Sequence, residues 1–151
     1  MRTRKQRQEP SARSQHNVSG VRRIEISRPM VLVVEDCDEL RVQCSAFLEA
    51  SGYSVIAASN GEMGLRALDT LHRCDAIVLD LEMPVLNGWT FIGRVQRDPR
   101  FATIPIVISS AAHDLRAVAG ATAVLRKPYQ PEELLETLRS CIPSATSSAR
   151  W

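Results

Sequence analysis

Four short apolar runs punctuate the chain: Met30-Val31-Leu32-Val33-Val34, Ala76-Ile77-Val78-Leu79, Ile104-Pro105-Ile106-Val107-Ile108 and Ala123-Val124-Leu125. Continuous β-branched runs, rather than alternating ones, read as strands buried on both faces of a parallel sheet. Between them, apolar residues recur at helical spacing. Asp38 to Ala50 carries Leu40, Cys44, Phe47 and Leu48 and is closed by Ser51-Gly52, while Gly61 to Leu71 carries Met63, Leu65, Leu68 and Leu71. After Asn87-Gly88 come Trp89, Phe91, Ile92 and Val95, and Pro131 opens a last helix bearing Leu134, Leu135, Leu138 and Cys141. Tyr53 to Ala58 supplies a second strand, Ile104 to Ser109 a fourth, and a short segment, Ala112 to Ala119, precedes the fifth. The pattern predicts five β/α pairs with right-handed crossovers, an α/β fold around one sheet.

Each of the four apolar runs ends at a polar residue: Glu35-Asp36, Asp80, Ser110 and Lys127 respectively. In an open parallel sheet the carboxyl ends of the strands share one edge, and ligands bind there. Three carboxylates would then meet a hydroxyl and an ammonium. Carboxylates crowded at 4 Å repel by roughly 4 kcal/mol per pair at an effective dielectric near 20. Either one of them takes up a proton, or a hard, oxygen-seeking cation such as Mg²⁺ neutralises the cluster and keeps positions open for phosphoryl oxygens. A carboxylate beside such an ion can attack phosphorus to form an acyl phosphate. Asp80, the lone acid directly at its strand end, is the candidate nucleophile; Lys127 offers a mobile charge and Ser110 a hydroxyl donor to the phosphoryl oxygens.

Charge is unevenly distributed. Residues 1–28 hold eight basic residues against Glu9 and Glu25, whereas residues 29–151 hold eleven against fifteen acids, so the formal net charge of +2 combines a basic arm with an acidic domain. The arm is rich in Arg, Gln and Ser with almost nothing apolar before Val18, a composition that reads as disordered. Residues 143–151 are similarly small and polar and read as a flexible tail, leaving residues 29–142 as one domain with no room for an output domain at either end. Cys37, Cys44, Cys74 and Cys141 form no CxxC pair and no metal-ligand spacing with His16, His72 or His113, so free thiols in a reducing compartment are expected. No run reaches the ~20 apolar residues of a membrane span, no apolar segment follows the basic N-terminus as in a signal peptide, and a cytoplasmic protein is expected.

The segments VLVVED (31–36), AIVLDLEMPVLNGW (76–89), PIVISSA (105–111) and GATAVLRKPY (120–129) together resemble the receiver domain of two-component response regulators. The resemblance implies a flavodoxin-like doubly wound sheet of five parallel strands in the order 2-1-3-4-5, and a single-domain regulator phosphorylated on Asp80 by a phosphohistidine of a sensor kinase or histidine phosphotransfer protein. It implies direct Mg²⁺ ligation by Asp36 and Asp80, ligation by Glu35 through water, a further ligand in the backbone carbonyl of Glu82, a cis bond before Pro128, and phosphate sensing by Ser110 and Lys127. It also implies signalling through a downstream protein target, as a monomer or weak dimer. Two departures stand out. Ser110 and Lys127 are 17 residues apart, fewer than the family uses, so the fourth helix is expected to be shortened or irregular; and Val124 occupies the position where the family tends to carry a reporting aromatic.

Taken singly, these residues have ordinary roles: acids after strands cap helices, lysines sit in solvent, and serines bond their own turns. Their order and spacing carry the reading. Cys37 is expected as a small apolar filler and Trp89 as helix-face packing. A phosphatase with an aspartyl-phosphate intermediate would want an Asp rather than Glu82 two residues past the nucleophile, together with a substrate-binding cap, so a phosphoacceptor rather than an enzyme is expected. A docking or DNA-associated module working through Arg2, Arg4, Lys5 and Arg7 is the alternative; without aromatics among those arginines the arm reads as a solubilising or partner-contacting tail rather than a nucleic-acid binder.

Overall fold

The computed structural model describes residues 27–115 and 118–143. The arm and tail expected at the two ends therefore lie, but for a few residues, outside the described residues. Five strands, β1 (Met30–Val34), β2 (Ser54–Ala58), β3 (Ala76–Leu79), β4 (Ile106–Ser110) and β5 (Ala123–Arg126), form one sheet in the order β2-β1-β3-β4-β5, every neighbouring pair parallel. Helices α1 (Asp38–Ala50), α2 (Gly61–Thr70), α3 (Gly88–Arg97) and α4 (Pro131–Cys141) cover it. This is the flavodoxin-like arrangement that the resemblance implied.

Successive strand residues feed opposite faces, as the two-residue repeat requires. Leu32, Val34, Ile77, Leu79, Ile106 and Ile108 pack with Leu68 of α2 and with Phe91, Ile92 and Val95 of α3. Val31, Val33, Ala76, Val78 and Val107 pack on the other side with Leu48 of α1 and with Leu134 and Leu138 of α4. β1 and β3 are covered on both faces, which is why their sequences are continuously apolar. Full burial of each such Leu, Ile or Phe contributes about 1.5–3 kcal/mol. Local chemistry starts the helices: the Asn60 side chain accepts from the Met63 amide and Asn87 from the Thr90 amide, both at 2.9 Å, while Pro131 fills the first turn of α4.

The fourth helix, expected between β4 and β5 to be shortened or irregular, is absent among the described residues. Only residues 111–122 return the chain from the end of β4 to the start of β5, and Ala112 and Leu115 anchor that stretch by inserting into the core against α2 and α3. β4 begins at Ile106 rather than Ile104, since Pro105 has no amide to give to a ladder. Three residues assigned to packing are exposed instead: Leu40, Met63 and Trp89. Each lies in the first turn of its helix, beyond the carboxyl edge of the sheet, where no strand remains to cover it. Cys37 is likewise exposed, just ahead of α1, rather than a core filler.

The loop from Asp80 to Asn87 is shaped by close approach. The Gly88 amide donates to the Leu81 carbonyl at 2.9 Å, and a Cβ on Gly88 would come within 2.6 Å of the Asp80 carbonyl oxygen, so only glycine lets α3 start there. Val85 stands at φ 72° and is 80% exposed, in a left-handed conformation that a β-branched residue adopts only under strain. Val85→Asn is expected to stabilise the protein by about 1 kcal/mol, since asparagine tolerates that region and no packing is lost; a urea unfolding curve with an unchanged slope and a higher midpoint checks it.

Candidate functional site

The carboxyl edge gathers side chains from four of the five strand ends. Asp80 follows β3, its amide held by the Val34 carbonyl at 3.0 Å, and its side chain is buried. Glu35 follows β1, is also buried, and its amide is held by the Ala58 carbonyl of β2 at 3.1 Å. Lys127 follows β5, and its amide donates to the Ser110 carbonyl at 2.9 Å, so the lysine and the serine are fastened to each other through the backbone. The Lys127 ammonium donates to Glu35 Oε2 at 2.6 Å and lies 3.7 Å from Asp80 Oδ2. Residues 92 positions apart are thus in direct contact.

Glu35, Asp36 and Asp80 each offer a carboxylate oxygen, and these atoms lie within 4.8 Å of one another. Three carboxylates facing one ammonium leave two uncompensated negative charges, which one divalent cation would neutralise. The donors are all oxygen, the preference of a hard ion such as Mg²⁺. Glu82 is exposed, and its amide donates to Asp80 Oδ1 at 3.3 Å, which sets the loop over the acid. Ser110 is fully buried at the end of β4, and its Oγ accepts from the Ala112 amide at 3.2 Å. The Lys127–Pro128 bond is cis, as the resemblance implied.

Burial raises the Glu35 carboxyl above its ordinary range despite the Lys127 ammonium and the Cys37 amide, which favour its ionised form. Burial pulls the Lys127 ammonium down, but the hydrogen bond to Glu35 and the charges of Asp80 and Glu35 outweigh it and leave it raised, so it stays cationic. Burial also pushes the Cys44 and Cys74 thiols up to about 11, which keeps them protonated and unreactive. His72 and His113 stand outside this site.

Sequence reasoning missed three contributors. Arg41 donates to the Glu35 carbonyl at 2.8 Å and pairs with Asp38, gripping the acidic loop from one turn inside α1. Its spacing to Asp38 was the available signal. Ser109 and Tyr129 share a hydrogen bond at 2.7 Å beneath Lys127, and with Leu40, Cys44, Phe47 and Leu134 they line a mainly apolar cavity of about 440 Å³ that opens toward Glu35 and Asp80. A pairing between neighbouring elements leaves no pattern in sequence.

A doubly wound parallel sheet with acids, a buried hydroxyl and a lysine on its carboxyl edge is the architecture of a phosphoryl-receiving signalling domain. The sequence model of the response regulator receiver domain matches residues 31–139, and the chain belongs to that family. Its similarity to the DNA-binding dual master transcriptional regulator RpaA of Synechocystis is 33% identity over 119 residues, covering 76% of this chain and 49% of that protein. Chemotaxis protein CheV3 of Helicobacter pylori is 33% identical over 93 residues, covering 56% of this chain and 30% of that protein. The chain thus spans about half or less of the length of these curated relatives. Among solved structures, Vibrio cholerae chemotaxis protein CheY4 is 31% identical with a TM-score of 0.71, covering 77% of this chain and all of that one. The receiver domain of a Pseudomonas aeruginosa sensor histidine kinase, solved with a magnesium ion coordinated in its active site cleft, is 26% identical with a TM-score of 0.70, covering 76% of this chain and 98% of that one. No helix among the described residues is long and apolar enough to cross a membrane.

A group whose pKa is raised on folding stabilises the fold below its unfolded value and loses that contribution as pH rises through the folded value. In metal-free buffer, wild type compared with Glu35→Gln is therefore expected to have its largest relative stability below pH 4.5 and to lose it progressively as pH rises through the elevated Glu35 pKa. Urea unfolding of both proteins across that pH window is the measurement.

Proposed function

We propose that this protein is a Mg²⁺-dependent phosphoacceptor that takes a phosphoryl group onto Asp80 from a phosphohistidine of a sensor kinase or histidine phosphotransfer protein, and signals by binding a downstream protein differently in its two states. The contact that carries this reading is Lys127 Nζ, 2.6 Å from Glu35 and 3.7 Å from Asp80, in the midst of the three-carboxylate cluster. An ammonium that already bridges to the acceptor carboxylate has only to shift from Glu35 to meet a phosphoryl oxygen.

In the transfer, an Asp80 carboxylate oxygen forms the new O–P bond as the N–P bond of the donor breaks, and the departing imidazole nitrogen keeps the electron pair. Asp36 and Asp80, with the Glu82 carbonyl and with Glu35 through water, would hold the ion. Bound there, Mg²⁺ would offset charge on the equatorial phosphoryl oxygens. The Glu82 amide at Asp80 Oδ1 orients the acceptor so that its other oxygen faces the cleft. Lys127 and the Ser110 hydroxyl then take the added charge.

The rim supports delivery by a protein donor. Leu40, Met63, Val85 and Trp89 are exposed around the edge where α1, α2 and α3 begin, and the apolar cavity opens next to Leu40. A surface with apolar groups around a charged centre suits a macromolecular partner better than a free phosphate ester.

Incubation with Mg²⁺ and a small-molecule phosphodonor is expected to add one phosphoryl group to wild type and none to Asp80→Asn, read by intact mass. Chelating the metal should abolish the addition. Labelling of the Asp80→Asn protein with an acid-stable phosphate would overturn the assignment, and steady turnover of a generic phosphate ester would point to the phosphatase instead.

A further inference from the structure

Among the described residues the stretch between β4 and β5 contains no helix, and its start has to be held by other means. Arg126, on β5, holds it. Its guanidinium donates from one amino group to the Ala112 carbonyl at 3.2 Å and from the other to the His113 carbonyl at 3.0 Å. The planar fork of arginine suits such paired acceptors in a way that a lysine cannot match. Ala112 is consequently gripped twice, its carbonyl by Arg126 and its amide by the Ser110 hydroxyl at 3.2 Å.

Both grips lead to the phosphoryl site. Ser110 is a proposed phosphoryl contact, and Arg126 immediately precedes Lys127, whose amide is bonded to the Ser110 carbonyl. Val124 and Arg126 point to the same face of β5, the face that no helix among the described residues covers, and both are exposed, whereas Ala123 and Leu125 turn into the core shared with α1 and α4. The expected aromatic is missing at Val124, so Arg126 is the long side chain on that face that reaches from the lysine strand to the serine loop.

We infer that Arg126 is a positioning residue that couples the state of Asp80 to the conformation of residues 111–115. This rests on the phosphoacceptor reading. When Ser110 turns its hydroxyl toward a phosphoryl oxygen on Asp80, the Ala112 amide loses its acceptor, and the Arg126 fork, together with the core contacts of Ala112 and Leu115, sets where the loop goes. Without the fork, the carbonyls of Ala112 and His113 lose their link to β5, and the difference between the two states shrinks.

Hydrogen exchange of the full chain, with and without Mg²⁺ and beryllofluoride as the aspartyl-phosphate mimic, tests this. In wild type, exchange at Ala112 to Leu115 is expected to change at least threefold on adding the mimic. In Arg126→Met, exchange there should be fast without the mimic and change less than 1.5-fold with it, while phosphoryl uptake from the small donor stays within about twofold of wild type. Arg126→Lys, which keeps the charge but lacks the planar fork, should restore part of the difference, a rescue that a general loss of folding would not show. An unchanged wild-type-like difference in both Arg126 variants overturns the coupling alone. Failure of wild type to take up phosphoryl overturns the phosphoacceptor reading and the coupling with it.

Discussion

The contact between Glu35 and Lys127 is the constraint on which the rest of the site depends. Two buried carboxylates and a third close by would repel at the edge of a low-dielectric sheet, and a single ammonium tied to one and near another lowers that cost without removing it. The remaining negative charge is what makes the place receptive to a divalent cation.

The fold brings this about through strand register rather than through local sequence. β1, β3, β4 and β5 end at one edge because all four are parallel, and backbone hydrogen bonds across the strand ends, from Asp80 to Val34 and from Lys127 to Ser110, set the heights of the clustered side chains. Arginines hold two of the loops that leave that edge. Arg41 grips the carbonyl of Glu35 on the acidic side, and Arg126 grips those of Ala112 and His113 on the serine side. Each loop carries polar backbone groups that the sheet can no longer satisfy, and a cationic fork satisfies them while leaving the side chains of the site free.

The same edge explains where sequence periodicity misled. Leu40, Met63 and Trp89 fit the apolar stripe of their helices and yet are exposed, because a helical repeat describes direction around an axis and says nothing about where the sheet beneath it stops. Further along the same helices, Leu48, Leu68, Phe91, Ile92 and Val95 are buried as the repeat implies. The segment from Ala112 to Ala119 lacked a strong repeat, and at its start the backbone of Ala112 and His113 is held by Ser110 and Arg126.

By itself the sequence determined the parallel α/β architecture, since continuous β-branched runs alternating with amphipathic segments admit little else, and it placed the acids, the serine and the lysine at the strand ends. Those are local properties, encoded within each segment. Only the tertiary structure decided which side chains touch: that Lys127 bonds Glu35, that Arg41 and Arg126 clamp backbone carbonyls, that Tyr129 meets Ser109 above an apolar cavity, and that the helix tips form an exposed rim. Such contacts depend on distances between segments far apart in the chain, which packing sets and no single segment contains.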